Sequence, residues 1–226
     1  MLGSMTSMSV HKLGLASQSP RRKQLLEQLV QEFGWTVMVL GPSPGEDTEA
    51  LEQVLPSEDP LNYVRRVTGL KAHAGWARLE QAALEPMPVL VSDTTVALGD
   101  RILGKPGSVD EAKAMLRLLS GQVHQVHTAV GLAVSAGSDA SVGCGDGEPG
   151  LAFEYAQVVS SSDVKFSELS DHWIDWVVST GEPMDKAGAY AIQGHAASVI
   201  EWVRGSPSGV MGLPLFETRQ LLSGLL

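Results

Sequence analysis

Asp93 follows the continuous apolar run Val89 to Val91, so a carboxylate stands where a strand covered on both faces is expected to end. Ligands of open α/β sheets bind outside such strand ends, although an aspartate there also serves as a turn or helix cap. The Gly99-Asp100 pair predicts a hairpin that carries Lys105 back towards the same region. Lys71 falls on the Val64 and Val67 face of a long helix, where a lysine either snorkels to water or reaches into a site. Arg21 and Arg22 lie in the first turn of another helix, whose dipole disfavours cations. Water can screen such a pair; an anion ahead of the helix would also resolve the conflict. Glu46, Asp47, Glu49 and Glu52 crowd an acidic, Pro-punctuated stretch that reads as solvated surface unless it holds a metal.

The elements that must position these groups follow from patterning. A short strand around Leu13 to Ala16 leads into "SQSPRRKQLLEQL", with Ser19 as N-cap, Pro20 at the first helical position and Leu25, Leu26, Leu29 and Val30 as the apolar face. A strand at Thr36 to Leu40 precedes the acidic loop, which has room for one helical turn. Asp59 and Pro60 then open a helix to about Leu84. Ser108 and Glu111 form a capping box for a helix that turns Ala112, Met115, Leu116 and Leu119 inward and stops at Gly121. Alternation from Val126 to Val134 predicts a strand. A Gly-rich hairpin tip at Ser135 to Gly150 follows, then a strand at Phe153 to Val159 and a helix at Asp171 to Ser179. "GEPMDKAGAYAIQG" is too Gly-rich for a regular element and predicts close backbone approach. A strand at Ser198 to Val203, the turn "RGSPSG" and a helix from Pro214 close the chain.

Composition limits the partners. The 226 residues carry 16 Lys plus Arg against 26 Asp plus Glu, a net charge of -10 that opposes sequence-independent binding to nucleic acid or anionic lipid. No stretch approaches the ~20 apolar residues of a membrane helix. A single cysteine, Cys144, excludes an internal disulfide framework and fits a cytoplasmic location.

Four separated blocks, "LASQSPRRKQLL" (Leu15 to Leu26), "SDTTVALGDRILGKPGSVDEAKAMLRLLSG" (Ser92 to Gly121), "GEPMDKAGAYAIQG" (Gly181 to Gly194) and "GVMGLPLFET" (Gly209 to Thr218), resemble in order the signatures of the Maf family of nucleoside triphosphate pyrophosphatases. The resemblance implies one domain over residues 1–226, with a disordered leader at 1–11. It also implies an α/β fold of the inosine-triphosphatase-like type: a long mixed twisted sheet flanked by helices, with a nucleotide-binding cleft. The implied reaction converts a nucleoside triphosphate to monophosphate and pyrophosphate with a divalent cation, magnesium or alternatively manganese. By the same resemblance Asp93 is the catalytic carboxylate and a metal ligand, Lys71 and Lys105 serve the phosphates, and Ser17, Ser19 and Arg22 form the phosphate-facing turn. A homodimer is expected.

Arg21, Thr94 and Gln193 match the branch of the family that acts on thymidine and uridine triphosphates, and an amide such as Gln193 can pair with donors and acceptors of a pyrimidine edge. Where the family carries an Asp-Glu pair after its second strand, this chain reads Glu46-Asp47-Thr48-Glu49. Glu46 is taken as the metal-side carboxylate, with Asp47 and Glu49 as alternatives. Two other classes compete: a nucleotide-binding regulator of septum formation, and a pyrophosphatase for deaminated purine triphosphates, which lacks the SPRR and DKAGAY blocks.

Overall fold

A computed structural model describes residues 11–136 and 153–225. The expected leader lies almost wholly outside them, as do Cys144 and the Gly-rich tip beyond residue 136. The mixed sheet that the resemblance implies is present, with seven strands among the described residues in the order β2-β1-β3-β5-β6-β7 and β4 paired to β3. The strands are β1 (Lys12–Leu15), β2 (Thr36–Val39), β3 (Val89–Leu98), β4 (Arg101–Leu103), β5 (Val123–Ser135), β6 (Phe153–Phe166) and β7 (Ile200–Arg204). β1 runs parallel to both its neighbours, and the pairings of β3 with β4 and from β3 through β5 and β6 to β7 are antiparallel.

Among the described residues six α-helices flank the sheet: α1 (Pro20–Val30), α2 (Pro60–Gln81), α3 (Val109–Leu119), α4 (Asp171–Ser179), α5 (Pro207–Met211) and α6 (Leu215–Ser223). α2 covers one face alone, packing Ala72, Trp76 and Leu79 against Val89 and Val91, and Val64 and Val67 against Ala129. The other face is shared. α1 and α6 bury Leu25, Leu26 and Leu222 against Leu13, Leu15 and Leu90, while α3 and α4 bury Leu116, Leu119 and Ile174 against Val96, Val126 and Phe166. Because side chains alternate along a strand, odd-numbered residues of β3 face α2 and even-numbered ones face α1 and α3. Gly75 lets α2 approach closely, since a Cβ there would lie 2.5 Å from the Ala16 Cβ.

Element ends shift by a few residues from the sequence reading, and three differences are larger. β3 does not end at Asp93 but continues to Leu98, because β5 pairs it without interruption from Val89↔Ala133 to Ala97↔Gln125. β6 likewise runs past Val159 through "SSSDVKF", templated by β5 as far as Val123↔Lys165. "RGSPSG" is not only a turn: Ser206 caps the short helix α5 by accepting from the Gly209 N–H at 3.0 Å. Among the described residues no helix is long and apolar enough to cross a membrane.

Candidate functional site

The edge of β3 facing β1 is interrupted. β1 pairs with it only at Val89 and Leu90, the Ala16 N–H adds one bond to the Leu90 carbonyl, and β4 takes over at Val96. Between them, Val91 to Thr95 has no strand partner on that edge. Asp93 and Thr94 sit in this notch, one facing each layer, where β1 gives way to the turn that starts α1.

On the α2 side, the Lys71 ammonium bridges two carboxylates, 2.5 Å from Asp93 Oδ1 and 2.8 Å from Glu52 Oε1. Lys105, brought back by the β3–β4 hairpin, donates to Glu52 Oε2 at 2.7 Å. Asp93 is buried and Lys71 nearly so, whereas Lys105 is half exposed. Burial alone would raise the Glu52 carboxyl, yet the charge of Lys71 and the hydrogen bonds from both lysines hold it below the ordinary carboxylate range.

Glu52 ends the single 3-10 turn of the acidic loop, Ala50–Glu52. The loop is strapped along α2 by carboxylate–cation contacts in antiparallel order: Glu46 to Arg78, Glu52 to Lys71 and Glu58 to Arg66. Tyr63 Oη also donates to the Glu52 carbonyl at 2.9 Å, and Arg66 Nη2 to that of Gln53 at 2.7 Å. Burial, with the charges of Asp93 and Glu52, pushes the Tyr63 hydroxyl well above the usual phenol range.

Glu46 does not join the Asp93 group. The Arg78 guanidinium takes both its oxygens, at 2.5 and 2.9 Å, and lies ~10 Å of helix beyond Lys71. Asp47 caps its own loop, accepting from the Glu49 and Ala50 N–H groups, and both it and Glu49 are exposed. Glu52 was visible in the sequence as one of four acidic residues.

On the other side of β3, Ser19 caps α1 by accepting from the Arg22 N–H at 3.4 Å, and Ser17 accepts from the Ser19 N–H at 3.2 Å. Arg22 points into the notch, with Nε 2.8 Å from the Gly212 carbonyl and Nη2 3.1 Å from Thr94 Oγ1. Burial lowers its pKa, the charges of Asp93 and Glu52 raise it, and Arg21 lowers it further, so the two sides of the notch sense each other. Arg21 also acts on Asp185, which burial would raise but Lys186 and Arg21 hold below its usual value.

The segment carrying Asp185 docks through Gly188, whose N–H donates to the Gly104 carbonyl at 3.0 Å and whose φ is +68. Tyr190 anchors its far end, with Oη 2.8 Å from His124 Nε2. Gln193, just beyond, is exposed and makes no side-chain hydrogen bond among the described residues. Asp93, Lys71, Lys105, Arg22 and Thr94 are thus brought to one notch. Arg21 and Asp185 are close enough to feel each other's charge, and Gln193 is left on the outside of the neighbouring segment.

Among the described residues no three His, Cys, Asp or Glu side chains converge as a metal cage. Asp93 and Glu52, two oxygen donors joined through one ammonium, instead suit a hard divalent ion that completes its shell with phosphate oxygens and water.

A mixed α/β sheet gathers paired carboxylates, two lysines and a helix N-terminus at a break beside its central strand, and cations beside a helix N-terminus are groups that phosphates engage. The chain belongs to the Maf family: the family model described as Maf-like protein matches residues 12–225. Among its relatives is a dTTP/UTP pyrophosphatase from Polaromonas sp. strain JS666, 50% identical over 208 residues that cover 92% of this chain and 93% of the relative. A dTTP/UTP pyrophosphatase from Cupriavidus metallidurans is 48% identical over 210 residues, covering 93% and 94%. Of solved structures, a HAM1 protein from Coxiella burnetii aligns with 95% of this chain and all of its own at 13% identity and a TM-score of 0.47.

Proposed function

We propose that the protein hydrolyses thymidine and uridine triphosphates to the monophosphate and pyrophosphate. The observation that carries this reading is the Glu52–Lys71–Asp93 array beside Lys105 and Arg22, and the names of the relatives support it. Asp93 accepts the proton of the attacking water, held in place by Lys71. Lys71 and Lys105 bind the phosphate oxygens and stabilise charge as the bond from the α-phosphorus to its bridging oxygen breaks, while Arg22 grips the triphosphate equally in ground state and transition state.

Asp93 and Glu52 are the residues that would hold magnesium or manganese, with Glu52 in the role the sequence offered to Glu46. Bound there, the ion neutralises charge on the phosphate oxygens. The two lysines and two carboxylates cancel each other, so Arg21 and Arg22 supply the net positive charge that the protein itself brings to a triphosphate. Ser17 and Ser19 shape the turn that presents Arg22, Thr94 orients its guanidinium, and Gln193 selects the pyrimidine base. A cytoplasmic location fits the single cysteine, and a homodimer is part of the same reading, checked by light scattering.

A panel of nucleoside triphosphates with magnesium tests this function. Thymidine and uridine triphosphates should show the highest kcat/KM, and Asp93→Asn should abolish turnover. Equal rates on purine triphosphates would overturn the substrate assignment, and an active Asp93→Asn the catalytic one.

A further inference from the structure

We propose that Thr128 is a positioning residue that sets the aim of Arg22 through Thr94; the inference rests on the reading above in taking the ligand to be a triphosphate. Thr128 lies on β5 directly across from Thr94 and is fully buried. Its Oγ1 is 3.0 Å from Thr94 Oγ1 and 2.8 Å from the Gly209 carbonyl. A hydroxyl has one proton and a carbonyl none, which orders the chain. Thr128 donates to Gly209, Thr94 donates to Thr128, and Arg22 Nη2 donates to Thr94.

The same C-terminal segment holds the other end of this arrangement. The Gly212 carbonyl accepts from Arg22 Nε at 2.8 Å and lies 3.0 Å from Ser92 Oγ. Nε and the Nη2 proton beside it form one edge of the guanidinium, and both are committed to protein oxygens. The other edge, Nη1 with the second Nη2 proton, makes no hydrogen bond among the described residues. That edge has the geometry for two parallel bonds to a phosphate. A phosphate-binding arginine that is pinned along one side loses less freedom when it captures its ligand.

Sheet packing alone does not require a hydroxyl at this position. Thr128 is followed on the same face of β5 by Val130 and Leu132, which serve the core with no polar atom. Without the Thr128 hydroxyl, Thr94 loses the acceptor that fixes its rotation, and with it the orientation in which it receives Arg22.

Thr128→Val and Thr128→Ser separate aim from packing. KM and kcat for thymidine triphosphate, Kd for a non-hydrolysable α,β-methylene analogue with magnesium by calorimetry, and Tm are measured for both and for the wild type. Thr128→Val should raise KM and Kd about tenfold, the size of one lost hydrogen bond to a charged group. Its kcat should stay within about threefold, as expected when ground-state and transition-state binding fall together. Thr128→Ser should restore KM and Kd to within about twofold of the wild type, even if loss of its methyl lowers Tm. Unchanged KM and Kd in Thr128→Val, or equal losses in both variants, overturn the proposal. A wild type that binds the analogue without turning over the nucleotide overturns the pyrophosphatase reading instead, and Kd alone then decides the role of Thr128.

Discussion

Replacing Glu52 by glutamine keeps the shape of the side chain and removes the charge that joins the two lysines. The amide retains one acceptor oxygen but sets an NH2 donor against the second ammonium. The Lys105 side chain is 50% exposed, so its contact with Glu52 contributes only ~0.5 kcal/mol. Lys71 is 15% exposed, and a charged hydrogen bond in that setting contributes ~1.5 kcal/mol. Together Glu52→Gln should cost about 2 kcal/mol at neutral pH. The folded-state pKa of Glu52 lies below that of a free glutamate. Its stabilisation is therefore complete above the unfolded value of about 4.3 and is lost as pH falls through the folded value. Urea denaturation of both proteins from neutral pH downwards reads this directly. The gap should persist to about pH 5 and close below about pH 4. A gap under ~0.5 kcal/mol at neutral pH, or one that is constant down to about pH 3, would refute the placement of Glu52 between the lysines.

Glu46→Gln should lower kcat far less than Glu52→Gln, because Arg78 rather than Lys71 holds Glu46; steady-state kinetics of the pair decides it. A methyl at Gly188 would lie 2.9 Å from Val96 Cγ1 on a backbone of φ +68, so Gly188→Ala should cost ~2 kcal/mol by denaturant titration. Burial lowers the His124 pKa to about 4, from an unfolded value of about 6.5, so its neutral ring stabilises the fold above that value. That contribution is lost as pH falls towards 4, and the stability gap between the wild type and His124→Gln should shift by ~3 kcal/mol over this window in favour of the variant. Gln193→Glu should raise KM for thymidine triphosphate with little change in Tm, since the side chain is exposed.

Much of this site was legible because local signals agreed with one another. Ser19 and Pro20 mark the start of α1, and Val64, Val67 and Lys71 share the stripe of α2 that meets the sheet. What the sequence hid were effects that only distant segments supply. "SDTTVAL" reads as the end of a strand because its polar side chains have no visible partners. In the fold Lys71 meets Asp93, Arg22 meets Thr94, and β5 pairs the backbone throughout. Glu52 could not be told from its acidic neighbours, since its identity depends on which carboxylate the register of the loop along α2 sets opposite Lys71. The Arg22–Thr94–Thr128–Gly209 chain joins four elements, and no spacing in the sequence foreshadows it.

The proposed reaction is attack of water on the α-phosphorus of a nucleoside triphosphate in the notch beside Asp93. Hydrolysis of thymidine triphosphate with magnesium in 18O-enriched water, followed by mass spectrometry of the products, tests it most directly. One heavy oxygen should enter thymidine monophosphate and none pyrophosphate. Label in the pyrophosphate, or release of orthophosphate as the first product, would contradict it.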